Sequence, residues 1–270
     1  MIIDGRAIAE KVKEDLKRGI QSLGFSPKLI AIQLGDDLAS ESFLKIKKKV
    51  GEDIGVTVEV MKLPQSMSED EVIAVIKEKN ENETVYGIIV QLPLPKNFNT
   101  TKVLDAIAPE KDPDALSTKP KVLAPVVLAV REILENSNIS LEDKKVVVLG
   151  HGDLVGKPVA EWLKQVGISP FMIDETNAQV NSSVEALAKA DIVISGVGKP
   201  GIITSEKIKE GVVIIDAGTS ESGGKLAGDL SPGAYDKCSF YTPVPGGVGP
   251  VVTAMLFKNL MILATSSRNR

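Results

Sequence analysis

Residues 144–167 read KKVVVLGHGDLVGKPVAEWLKQVG, and the fold turns on how this stretch is read. Lys144 to Leu149 ends in an unbroken apolar run, the mark of a buried strand. The run leads straight into Gly150, Gly152 and Gly156. Val155 to Val166 then takes up helical spacing, with Pro158 near the first turn, where a missing N–H does no harm. Glycines let a backbone turn sharply and approach a pyrophosphate, and the helix N-terminus offers free N–H groups and positive potential. The spacing is GxGxxxG rather than the commoner GxGxxG, so a tight turn without a ligand is the plain alternative. His151 lies inside the turn, as a cofactor contact or a side chain facing water, and a Ser-His-Asp triad would have to be built on it. Asp174 ends the next strand, 18 residues beyond Gly156. A carboxylate there accepts from both adenosine ribose hydroxyls and repels a 2′-phosphate, which favours NAD over NADP. The alternative is that Asp174 caps the DETN turn it opens, and Glu175 competes for the same role.

Outward from this unit the βα rhythm continues. Toward the C-terminus, Asp191–Ser195 and Val212–Asp216 read as strands, and Val184–Lys189 and Ser205–Lys209 as helices. A Pro/Gly loop, TPVPGGVGP, then precedes a last apolar helix, Val251–Ala264. Toward the N-terminus, Ile8, Val12, Leu16, Ile20 and Leu23 form one helical face. Strands at Lys28–Leu34, Val56–Leu63 and Val85–Leu92 alternate with helices at Phe43–Ile54 and Glu69–Asn80. Near-continuous apolar strands alternating with helices indicate parallel sheets covered on both faces. The proline-rich stretch from Pro109 to Pro125 reads as a junction. The expected division is residues 1–124 plus 250–270 as one α/β domain and 125–249 as a Rossmann-type dinucleotide-binding domain. A cleft lies between them in this reading, and the last helix packs back on the first domain.

Composition sets the outer limits. The 270 residues carry 32 Lys+Arg against 36 Asp+Glu, a net charge of −4 that gives no electrostatic reason to expect nucleic acid. One cysteine, Cys238, and one histidine exclude a disulfide framework and a Cys/His zinc site, so no metal is expected. The N-terminus lacks the apolar core of a secretory signal. Lys258 and Asn259 interrupt the most apolar late stretch, short of the roughly 20 apolar residues of a membrane span. A cytoplasmic setting is the expectation.

One further segment bears chemistry. In LGDDLASESFLKIKKKVGEDIG, Phe43 and Lys47 are four apart and share a helical face, with Ser40 as the candidate cap. A lysine that loses hydration beside an aromatic ring becomes suited to proton transfer. The competing reading is that Lys45, Lys47, Lys48 and Lys49 form a solvated basic face.

Six strings occur in order: IIVQLPLP (88–95), PEKDPDA (109–115), GHGDLVGKP (150–158), GVGKPGII (196–203), VIIDAG (213–218) and YTPVPGGVGP (241–250). Together they resemble the bifunctional methylenetetrahydrofolate dehydrogenase/methenyltetrahydrofolate cyclohydrolase family (FolD), and the likeness runs from IIDGRAIAEKV to the final helix. The resemblance implies hydride transfer from 5,10-methylenetetrahydrofolate to a nicotinamide cofactor, then hydrolysis to 10-formyltetrahydrofolate, usually by a homodimer. It puts the family's Tyr-x-x-x-Lys pair on Phe43 and Lys47, with Lys47 the principal catalytic residue and Gln91 orienting it. It makes Asp114 the pterin-binding carboxylate, places Gly249 and Pro250 beside the folate, and assigns Gly150, His151, Gly152, Gly156, Asp174, Gly196 and Val197 to the cofactor. Several positions depart from the family pattern. Phe43 replaces a tyrosine, KDPDA replaces KDVDG, the PCTPxG segment appears as residues 124–129, and Pro250-Val-Val252 replaces PMT. The family's GRS turn reads Gly150-His151-Gly152, and Asp174 stands where NADP-using members commonly carry serine. A dehydrogenase with weak or lost cyclohydrolase activity is the alternative these changes raise, ahead of a non-catalytic binding relative.

Overall fold

Asp4 caps the first helix by accepting the backbone N–H groups of Arg6 and Ala7, at 3.0 and 3.1 Å. From there the chain alternates helices and strands through a computed structural model that describes residues 1–174, 176, 177, 180–222 and 225–268. Helix α1 (Gly5–Ser22) is followed by β1 (Lys28–Leu34), α2 (Leu38–Ile54), β2 (Thr57–Leu63), α3 (Glu69–Glu81), β3 (Val85–Val90) and α4 (Thr100–Leu104). Next come α5 (Pro125–Asn136), β4 (Val146–Leu149), α6 (Gly156–Gln165), β5 (Phe171–Ile173), α7 (Asn181–Lys189), β6 (Ile192–Ser195) and β7 (Val212–Asp216). A small antiparallel pair, β8 (Ser220–Ser222) and β9 (Lys225–Ala227), precedes β10 (Cys238–Tyr241) and α8 (Val248–Arg268).

The chain divides into two compact units. One comprises Met1–Glu10 and Val126–Val252 and carries a parallel five-stranded sheet in the order β10-β7-β6-β4-β5. The other comprises Lys11–Pro125 and the chain from Thr253 onward, and carries a parallel three-stranded sheet in the order β2-β1-β3. The last helix thus contributes most of its length to the three-stranded unit. The first ten residues, placed by the sequence division in residues 1–124, cluster with the five-stranded unit, where Ile3 N–H donates to the Tyr241 carbonyl at 2.8 Å. In both sheets the second strand lies on one side of the first and the third on the other, which creates a switch point at the strands' carboxyl ends.

Burial explains these elements. Strand β7 is buried along its whole length and packs with Val147, Leu149 and Val193, while Ile30, Ile32 and Ile88 pack against Val72, Ile73 and Ile76 of α3. Helix α3 begins with a complete capping box between Ser68 and Glu71. Helix α8 is long and apolar enough to cross a membrane by length and composition alone, yet Met255, Leu256, Phe257 and Leu260 are buried within the protein. The helix expected at 205–209 is a single 3-10 turn, Ser205–Lys207. Strand β10 and the short α4, absent from the sequence reading, complete the two units.

Candidate active site

The three-stranded unit gathers Phe43, Lys47, Gln91 and Asp114. Helix α2 is capped by Asp37, whose side chain accepts from Ser40 N–H at 2.7 Å, so the expected cap Ser40 instead lies buried inside the first turn. The helix turns Leu44, Gly51 and Ile54 inward. Phe43 stays 44% exposed and Ile46 52% exposed, so the apolar repeat at 43, 46, 50 and 54 is not the buried face throughout. Lys47 falls at the margin of the buried face, half-buried, rather than on a fully solvated basic one.

Gln91 leaves the end of β3, with its backbone N–H held by the Ile32 carbonyl at 2.8 Å. Its side chain accepts from Lys47 Nζ through Oε1 at 3.0 Å and donates through Nε2 to the Leu92 carbonyl at 2.9 Å. The second bond fixes which end of the amide faces the lysine. Gln91 therefore takes one N–H donor of Lys47 and aims the amine with a group that carries no charge of its own.

Asp114 lies close enough to Lys47 to feel its charge. Burial pushes the Asp114 carboxyl above the ordinary carboxylate range, Lys47 pulls against that shift, and Asp112 adds to it. A ligand offering N–H donors reverses such a shift by stabilising the anion. Asp112 is itself 1% exposed and accepts from Ser117 N–H at 3.0 Å, which closes the turn around Asp114. The sequence reading did not single out Asp112, although the paired aspartates of KDPD were its visible signal.

The nucleotide candidates lie in the five-stranded unit, at the switch point between β4 and β6. Gly150 follows β4 with φ +104°, and a Cβ there would stand 2.9 Å from the Gly196 carbonyl oxygen. A Cβ on Gly156 would stand 2.1 Å from the Gly150 carbonyl oxygen, so only glycine lets α6 start this close to the strand. Gly152 faces open space, and His151 beside it is exposed. These are the features of a cradle for a phosphate-bearing ligand.

Asp174 follows β5. Its Oδ1 accepts from Thr176 N–H at 2.8 Å, Thr176 Oγ1 at 2.6 Å and Asn177 N–H at 3.2 Å. The Thr176 bonds, with smaller help from Asn177 and His151, hold the carboxyl below the ordinary range. The turn-capping reading is thus realised at Oδ1, and the Asp174 backbone N–H closes the same turn by donating to Asn177 Oδ1 at 2.9 Å. Glu175 lies outside the described residues.

Gly249 and Pro250 fall in the first turn of α8 rather than in the preceding loop, where proline's missing N–H is tolerated. By contacts they belong to the five-stranded unit.

Residues 3–114 match the family model for the tetrahydrofolate dehydrogenase/cyclohydrolase catalytic domain, and residues 125–268 match that family's NAD(P)-binding domain. The chain belongs to the tetrahydrofolate dehydrogenase/cyclohydrolase family. Within it, the chain is 40% identical to the bifunctional protein FolD of Staphylococcus epidermidis, over 97% of this chain and 95% of that protein. The crystal structure of the bifunctional FolD methylenetetrahydrofolate dehydrogenase/cyclohydrolase from Campylobacter jejuni matches with a TM-score of 0.93 at 31% identity, covering 99% of both chains. The Trypanosoma brucei FolD structure, complexed with NADP cofactor and inhibitor, matches with the same TM-score and identity, over 100% of this chain and 99% of that one. The family's two matched regions contain Lys47, Gln91 and Asp114 in the first and the glycine turn in the second.

Proposed function

We propose that Lys47, aimed by Gln91, manages protons in the hydrolytic half of a two-step folate reaction, and that Asp114 anchors the pterin ring. The chain is a methylenetetrahydrofolate dehydrogenase and methenyltetrahydrofolate cyclohydrolase. It oxidises 5,10-methylenetetrahydrofolate to the 5,10-methenyl compound and then adds water to give 10-formyltetrahydrofolate. The Lys47–Gln91 hydrogen bond carries this reading. Hydride transfer asks the protein mainly for alignment, whereas hydrolysis needs a group that takes a proton from the attacking water and returns one to the folate nitrogen. In its unprotonated form an amine that donates one N–H to an amide keeps its lone pair to take the water's proton, and the ammonium so formed has a donor to return it to the folate nitrogen. Asp114 suits the other task, since a carboxylate meeting an amino group and a ring N–H makes a bidentate, charge-assisted contact that fixes the ring. Phe43 retains an aromatic face for the substrate and lacks the hydroxyl of the family tyrosine.

A nicotinamide dinucleotide supplies the hydride acceptor when bound. The turn Gly150–Gly156 fits its pyrophosphate, with His151 and Gly152 exposed on it, and Gly196 and Val197 line the neighbouring β6 loop. NAD is the preferred form: Asp174 brings a negative charge held by Thr176 to the end of β5, and a 2′-phosphate there meets repulsion. The family likeness also supports a homodimer working in the cytoplasm, and sedimentation velocity tests the assembly.

Steady-state kinetics with methylenetetrahydrofolate and each dinucleotide tests the reading. The expected result is a larger kcat/KM with NAD, and a larger value with NADP reverses the cofactor assignment. The decay of methenyltetrahydrofolate absorbance tests the lysine. The parent protein is expected to exceed the spontaneous rate, and Lys47→Met is expected to match it. A fully active Lys47→Met protein removes the proton-handling role.

A further inference from the structure

We propose that Asp229 is a positioning residue for dinucleotide binding: its buried carboxylate holds the loop after β6 in the form that meets the cofactor. The proposal rests on the reading of Gly196 and Val197 as cofactor contacts. Neither the sequence strings nor the expected site includes Asp229, which lies 32 residues beyond Val197 in a stretch that reads as a plain turn, LAGDL.

The geometry is specific. Asp229 is 0% exposed, and its two oxygens take three donors from five consecutive residues at the end of β6. Oδ2 accepts from Ser195 Oγ at 2.6 Å and Val197 N–H at 2.8 Å, and Oδ1 accepts from Lys199 N–H at 2.8 Å. The chain around Asp229 is tied to the far end of the same loop, through Gly201 N–H to the Gly228 carbonyl at 3.0 Å and Ile203 N–H to the Asp229 carbonyl at 2.9 Å. One carboxylate and its backbone neighbours thus fix the loop at both ends.

The surroundings make room for this carboxylate. A Cβ on Gly218 would stand 2.2 Å from the Asp229 carboxyl carbon. Asp216, at the end of β7, accepts from Leu230 N–H at 2.8 Å and so steadies the Asp229 segment from behind. Above this buried layer the loop reaches solvent at Lys199 and Pro200. Purely apolar packing could fill the same volume but could not orient three donors. Carboxylate oxygens accept only, so the Val197 and Lys199 N–H groups point inward and the loop conformation is specified bond by bond.

Asp229→Asn keeps the shape and replaces one acceptor with a donor, which sets an NH2 group against a backbone N–H. Dinucleotide affinity, measured by titration with NAD and NADH, is expected to weaken by at least about tenfold. The dinucleotide KM is expected to rise more than kcat falls. Hydrolysis of methenyltetrahydrofolate consumes no dinucleotide and is expected to stay within about twofold of the parent. Ser195→Ala removes one of the three bonds and is expected to give the same pattern at about threefold. It decides the matter if the asparagine variant does not fold. Unchanged dinucleotide affinity in both variants overturns the proposal, as does an equal loss of both activities, which marks a general structural role. Val197→Asp separates the two layers of inference. If it weakens dinucleotide binding while Asp229→Asn does not, the positioning role alone falls. If neither does, the loop is not a cofactor contact and the underlying reading falls with it.

Discussion

Asp112 and Asp114 sit on a turn that closes through Ala115, whose φ of +53° lies in the left-handed region. An L side chain costs roughly 1–2 kcal/mol there, while glycine is free of that penalty. The family pattern has glycine at this position, so the alanine keeps a local strain beside Asp114, the carboxylate proposed to anchor the pterin. Ala115→Gly is expected to stabilise the protein by about 0.5–1 kcal/mol, once glycine's greater freedom in the unfolded chain is subtracted. A rise of about 1–4 °C in Tm is the matching observation, and a fall shows that the methyl group packs favourably enough to outweigh the strain. Asp174 shows a second kind of residue-level ambiguity. One carboxylate can cap its own turn through Oδ1 and still present its other oxygen, so the two readings of that position were never exclusive. Sequence could name both roles and could not apportion the oxygens between them.

At the scale of the element, α8 holds the clearest surprise. Asn259 interrupts an apolar stretch, which in sequence merely argues against a membrane span. In the structure it is 1% exposed, and its Nδ2 donates to the Pro113 carbonyl at 2.9 Å and the Leu123 carbonyl at 2.8 Å. The helix therefore braces both ends of the loop that carries Asp114. Asn259→Ala strands two carbonyls and is expected to cost about 2–4 kcal/mol and to raise the folate KM. Urea denaturation and folate kinetics check the two parts, and an unchanged KM detaches the loop from substrate binding. What could be read from sequence follows the same physics. Strands β1 and β7 were legible because continuous apolar runs bounded by turns admit few other structures. Strand β10 was not, since CSFY is four residues long with a polar second position. Helix α2 was legible from Phe43 to Ile54, but its first turn from Leu38, its cap and its inward face were not, because these depend on tertiary neighbours that periodicity does not contain. The Lys47–Gln91 pairing spans 44 residues and became visible only through the family resemblance.

Across the whole molecule, one topological device appears twice. In each sheet the first strand is flanked by the second on one side and the third on the other, and the chemistry-bearing residues follow strands at that reversal. Gln91 leaves β3 beside β1, and Gly150 and Gly196 leave β4 and β6. The proposed sites thus follow from strand order, with the loops supplying the chemistry. The chain's beginning adds a constraint that linear domain division misses. Ile3 is 4% exposed, Tyr241 N–H donates to the Met1 carbonyl at 3.0 Å, and these first residues extend the β10 edge of the five-stranded sheet. Their packing energy therefore belongs to the unit that binds the dinucleotide in this account, although they are followed in sequence by the other unit. Ile3→Ala removes a buried side chain and is expected to cost about 2–4 kcal/mol. Hydrogen exchange is expected to show the greatest loss of protection in β7 and β10, and less in β1 and β3. Dinucleotide affinity should fall while methenyltetrahydrofolate hydrolysis persists. A loss of protection centred on β1 and β3 assigns the first residues to the three-stranded unit instead and severs the chain's start from the nucleotide sheet.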